Sequence, residues 1–91
     1  MILLTPRGHG GVAVVVAGSA SDRAAVQSCL RTPKGGPFAP RPGAPPRRAV
    51  LHWDGADRDD VLVVDRGRLG LEVHLHGSPA LLDAFAARVG G

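Results

Sequence analysis

Three residues with the means to do chemistry stand close together in RLGLEVHLHGSPALL, Arg68 to Leu82: Glu72, His74 and His76 occupy every second position between Leu69, Leu71, Val73 and Leu75. Strand periodicity puts the carboxylate and both imidazoles on one face and the aliphatic side chains on the other. Such a face can grip a polar ligand, move protons or contribute to a metal site. With His9 or His52, the pair His74 and His76 would complete a three-ligand zinc set, because catalytic zinc requires neutral imidazoles that converge tetrahedrally. The more common fate of an H-x-H pair on a strand is to face solvent or to bond backbone. Cys29 falls on the apolar face of a helical segment, where it reads as a small hydrophobe and not as a nucleophile.

Other chemistries find less support. GHGGVA, Gly8 to Ala13, fits the relaxed dinucleotide pattern G-x-G-x-x-A, but it opens VAVVVA, a strand pattern, where a helix N-terminus would have to face the pyrophosphate. There is no Gly-Lys-Ser or Gly-Lys-Thr, so this chain does not hydrolyse nucleotides through a P-loop. Arg41, Arg47 and Arg48 lie in or beside a proline-rich stretch and would suit phosphates, which makes an RNA-associated scaffold a further reading. No stacking aromatics accompany them.

The elements that must position these residues come from 91 residues, enough for one small domain spanning 1–91. Two Phe, one Trp and no Tyr leave a core built mainly from Val, Leu and Ala, so a partner surface would help to stabilise it. Ten Arg and one Lys against eight acids give a net charge of +3, too mild to indicate nucleic acid by itself. A lone cysteine excludes a disulfide framework and suits a reducing cytoplasm. The longest apolar run, Val12 to Ala17, is far below the ~20 residues of a membrane span. A soluble cytoplasmic protein is expected.

Ile2 to Thr5 reads as a short strand and Val12 to Ala17 as a central strand buried on both faces. SDRAAVQSCL reads as a helix with Ser21 as N-cap and Ala25, Val26, Cys29 and Leu30 on one face. Residues 32–46 contain six Pro and three Gly, which dictates an extended loop. RRAVLHW and DDVLVVD read as a hairpin joined by the five residues DGADR, and LGLEVHLH as a further strand. The final helix has Ser78 as N-cap, Pro79 at its first position, Leu81, Leu82, Phe85 and Val89 on one face, and Gly90 as C-cap. The order predicts an α+β fold, a small mixed sheet of about five strands with two helices packed on it.

Both ends of the chain resemble the N-terminal domain of the MnmE/TrmE family of tRNA-modification GTPases. LLTPRGHGGVAVVVAGS matches the family's opening stretch at Thr5, Pro6, Gly8, Gly10, Gly11 and Val12, and RLGLEVHLHGSPALL matches a later motif at Glu72, Val73, His76, Gly77, Pro79 and Leu81. The helix, the proline-containing segment and the hairpin between them follow in the family's order. The resemblance implies a domain that binds a tetrahydrofolate derivative, 5-formyl- or methylene-tetrahydrofolate, and forms a homodimer. It implies Glu72 as the contact to the polar edge of the pterin, with His76, Gly77, Gly10 and Gly11 around the ligand. The family's folate-contacting arginine falls on Val16, and its acidic GED is RLG here. The family's helical and GTPase domains would lie beyond Gly91, which implies no enzyme activity in this chain alone. A separately encoded GTPase module or an MnmG-like partner is then expected, with tRNA contacted only indirectly.

Overall fold

A computed structural model describes residues 1–4 and 11–90 as one six-stranded antiparallel sheet with two helices. The elements are β1 (Ile2–Leu3), β2 (Val12–Ala17), α1 (Ala20–Ser28), β3 (Leu30–Arg31), β4 (Arg47–Trp53), β5 (Ala56–Asp65), a 3-10 turn (Gly67–Leu69), β6 (Leu71–His76) and α2 (Pro79–Val89). In space the strands run β1-β2-β6-β5-β4-β3. Helix α1 therefore carries the chain from β2 to the far edge of the sheet, and β4, β5 and β6 return as a meander that ends beside β2. The α+β class is as expected; a sixth strand joins the five, and every pairing is antiparallel where a mixed sheet is expected.

Alternation along the strands sorts the residues into two faces. Ala13, Val15, Ala17, Ala49, Leu51, Trp53, Val61, Val63, Leu71, Val73 and Leu75 are buried together with Val26 of α1 and Leu82 and Phe85 of α2. Trp53 and Phe85 stack with centroids 6.0 Å apart, and Phe38 reaches the same core from the loop. The other face bears Ile2, Val12, Val14, Val16, Leu62 and Val64 among polar residues, and both α1 and α2 pack on the opposite side. Among the described residues strand β2 is covered on one side: Val12 is 63% exposed, and the outer neighbour described is the two-residue β1. Its unbroken valine run reflects strand propensity, which cannot by itself distinguish one-sided from two-sided burial.

Four local expectations change. Helix α1 is capped by Ser19, whose hydroxyl accepts from Asp22 N at 3.0 Å, and not by Ser21. It stops at Ser28 with Cys29 as its C-cap, and Leu30 goes into β3, because its side chain is buried equally well from the strand. The β4–β5 connection is Asp54-Gly55 alone. Their φ values of 51° and 74° are the positive pair that a two-residue hairpin of type I′ requires, so Ala56, Asp57 and Arg58 belong to β5. Leu69, 79% exposed, lies in the 3-10 turn and outside β6.

Helix α2 keeps every expected feature, from Ser78 accepting Leu81 N to Gly90 in the left-handed region. Residues 32–46 are irregular, as expected, and anchored. Thr32 and Gly36 close a turn, Phe38 is buried, and the Arg47 guanidinium lies 4.4 Å from the Phe38 ring centre while donating to Ala39 O. No helix among the described residues is long and apolar enough to cross a membrane.

Candidate functional site

The uncovered face places Glu72 between Val16 of β2 and Val64 of β5, its direct cross-strand neighbours. Its side chain is nevertheless only 15% exposed. Arg66 Nε donates to Oε2, and His74 Nε2 lies 3.1 Å from Oε1. Burial pushes the Glu72 carboxyl up, but the Arg66 hydrogen bond and then the His74 bond and both charges outweigh it and hold the group below its ordinary range. An ionised carboxylate only accepts, so His74 donates from Nε2. With one donor on each oxygen, the carboxylate retains an acceptor site per oxygen for a ligand.

Arg66 reaches Glu72 because the turn that carries it is locked from behind. Asp65 continues the inward series Val61, Val63 on β5 and is buried on the core side. Its Oδ2 accepts Arg23 Nη2 of α1 at 3.0 Å and its Oδ1 accepts Gly67 N at 2.9 Å. Burial raises this carboxyl, and the Arg23 and Gly67 donors more than reverse that, so its pKa is lowered. Arg66 N donates to Gly70 O at 2.9 Å, closing the turn before β6 begins.

His76 ends β6. Asp59 accepts its backbone N–H at 2.8 Å and pairs with Nδ1 at 2.5 Å, which leaves Nε2 for another partner. The Asp59 side chain is 9% exposed and that of His76 72%, so a covered acid orients an accessible imidazole. Val12, Arg48, Asp60, Leu62, His74 and His76 line a groove of about 370 Å³ along this face.

Gly77 N donates to Gly11 O at 2.7 Å, so these two glycines extend the β2–β6 pairing and join the sheet to the start of α2. Thr5, Pro6, Gly8, His9 and Gly10 lie outside the described residues. His52, His74 and His76, the described members of the zinc set, each turn to a separate carboxylate: His74 to Glu72, His76 to Asp59, and His52 to Asp57 at 2.8 Å in the β4–β5 hairpin. Among the described residues no three potential ligands converge on a metal position. The arginines also separate: Arg47 is held against Phe38 on the core side, Arg48 faces the open side, and Arg41 is exposed in the loop.

Alternation in the sequence shows the face shared by Glu72, His74 and His76. It does not show Arg66, Arg23 or Asp59 as their supports. The one available signal was Asp65, an acid in register with inward valines, which demands a buried partner. No protein-family model matches the chain, and no curated protein matches it either.

Proposed function

We propose that the chain is a reduced-folate-binding, self-associating cytoplasmic domain of the kind found at the N-terminus of MnmE/TrmE tRNA-modification GTPases, without nucleotide hydrolysis of its own. The observation that supports this most is the largely covered, ionised Glu72, flanked across the strands by Val16 and Val64 on the open sheet face. Its two oxygens can accept the adjacent N–H and amino donors of a pterin edge, while Val16, Val64 and Leu62 offer apolar contact to flat rings. Val16 stands directly opposite Glu72, so an arginine at that position would lie beside the carboxylate. Here the guanidinium beside the carboxylate is that of Arg66. Arg66 thus supplies from the β5–β6 turn the positive charge that β2 lacks.

Calorimetric titration with 5-formyl-tetrahydrofolate tests the reading. Wild-type protein should bind, and Glu72→Gln should weaken binding at least about tenfold, the effect of losing charge on a hydrogen bond worth ~1.5–3 kcal/mol. Absence of binding, or equal binding by a Glu72→Gln protein with an unchanged melting temperature, would remove the folate assignment. A separately encoded GTPase module or an MnmG-like flavoprotein would then be the partner through which tRNA is reached.

A further inference from the structure

At the β3 edge of the sheet a separate pocket of about 250 Å³ is walled by the turn at 32–35, Arg31 of β3, Val50 and His52 of β4 and Asp57 of β5. Strand register assembles it: Arg31 stands opposite Val50, and His52, two residues further along the same face, pairs with Asp57. The turn is closed by three hydrogen bonds. Thr32 N donates to Gly36 O and Gly35 N to Thr32 O, both at 2.8 Å, and Gly36 N donates to Thr32 Oγ1 at 3.0 Å. It presents Lys34, which is exposed and has no hydrogen bond or ion pair among the described residues. Arg31 is fixed from behind, its Nη1 donating to Ser28 O at 3.1 Å and to Leu30 O at 2.8 Å, while Nε and Nη2 keep their hydrogens for another partner. The described lining holds one acid, Asp57, and His52 Nδ1 already engages it at 2.8 Å. Two full positive charges thus border a pocket whose single carboxylate is paired.

We infer that this pocket binds a small phosphate monoester, with the phosphate on Lys34, Arg31 and the Thr32 hydroxyl and the organic part toward Val50 and His52. A phosphate monoester carries about −1.5 to −2 at neutral pH, which the two cations match, and its three terminal oxygens accept from donors that arrive along different directions. The planar guanidinium suits two of those oxygens and the ammonium meets the group as a point charge. Thr32 Oγ1 accepts from Gly36 N and still has its own hydrogen to donate. Because hydrogen bonds fix the turn and the Arg31 head, little ordering remains when the anion enters. Beyond the phosphate, Val50 offers apolar contact, and His52 Nε2 is left for a ligand hydroxyl. At about 250 Å³ the pocket is smaller than the ~300–1,000 Å³ of sites that enclose drug-sized ligands, so the ester is of sugar-phosphate size. Glu72 lies on the order of 20 Å away, two strands across and most of a strand along, so the inference is independent of the folate reading.

The test titrates the whole chain at pH 7 and constant ionic strength with ribose 5-phosphate, inorganic phosphate and acetate, followed by calorimetry. Wild type should bind ribose 5-phosphate most tightly, inorganic phosphate about threefold or more weakly, and acetate at least about tenfold more weakly than phosphate. Lys34→Ala should weaken both phosphate ligands by about tenfold or more at an unchanged melting temperature, since Lys34 contacts nothing else, and Lys34→Arg should stay within about threefold of wild type. Arg31→Gln should lose binding to a similar degree. Glu72→Gln should bind ribose 5-phosphate as wild type does, which separates this pocket from the folate site whether or not folate binds. Absence of phosphate binding at millimolar concentrations, or binding that survives Lys34→Ala, overturns the assignment. Equal affinity for acetate and phosphate overturns it too, because the pocket would then be responding to charge alone.

Discussion

Asp65 and Glu72 lie on opposite faces of the sheet, one facing the core and one the open side, and each is held ionised by an arginine. Both carboxyls have folded-state pKa values below the ordinary ones. A lowered folded pKa contributes stability that is fully present above the unfolded carboxylate range, about 4, and is lost as pH falls through the folded value. Urea unfolding followed from pH 7 down to pH 3 should therefore give stability that is level at the top and falls steeply below about pH 4. Asp65→Asn should cost about 1 to 3 kcal/mol at pH 7, because Arg23 loses its partner, and should flatten the acid-side fall. An unchanged acid-side slope in Asp65→Asn would show that this pair does not govern it. Glu72 was legible in the sequence because alternation needs only neighbours in the chain. Arg66 was not, since it approaches from a turn whose path depends on Asp65, Arg23 and Gly67 meeting in space.

Between residue and molecule, the turn from β5 to β6 is the element on which the site depends, and Gly70 is its tightest point. Its φ is +116°, and a Cβ there would come within 2.6 Å of Val16 Cγ1 and 3.0 Å of Ala17 O. Gly55, at the β4–β5 turn, also has positive φ, 74°, but open space around it. The two positions separate backbone strain from crowding. Gly55→Ala should cost about 1 kcal/mol, and Gly70→Ala about 2 to 4 kcal/mol, from strain plus displacement of β2. Because Gly70 O accepts Arg66 N, the second variant should also weaken whatever binds Glu72. Equal losses in chemical denaturation would mean that the close approach to Val16 relaxes freely. The same contrast explains which elements could be read beforehand. Helix α2 is specified by local caps and a one-sided apolar stripe, all contiguous in sequence. Strand β3 is two residues whose state is decided by pairing with β4, and the hairpin length hinges on Asp54-Gly55, a turn signal that DGADR contains but that a five-residue connection does not use.

At the scale of the molecule, both helices cover one face, and the spatial order of strands follows from α1 crossing to the far edge, which nothing in the linear pattern dictates. The consequence is an open face with Ile2 64%, Val12 63% and Leu62 44% exposed in a chain whose core is mostly aliphatic. A domain this small buries only about two thirds of the surface its unfolded chain exposes, so a second copy laid on that face would add stability at little conformational cost. Sedimentation velocity at micromolar concentrations should show a dimer, and Ile2→Glu or Leu62→Glu should shift it to monomer while leaving the monomer folded. A monomer at every concentration, or a dimer indifferent to both substitutions, would put the interface elsewhere or nowhere. Glu72 and the groove occupy the same face, so a dimer formed on that face would share its surface with a ligand on Glu72, and the two equilibria would be thermodynamically linked. Adding 5-formyl-tetrahydrofolate should therefore move the monomer–dimer equilibrium, and the apparent ligand affinity should change with protein concentration by the reciprocal factor. The direction of that shift identifies the geometry: a dimer strengthened by ligand closes over Glu72, whereas one weakened by ligand competes for Leu62.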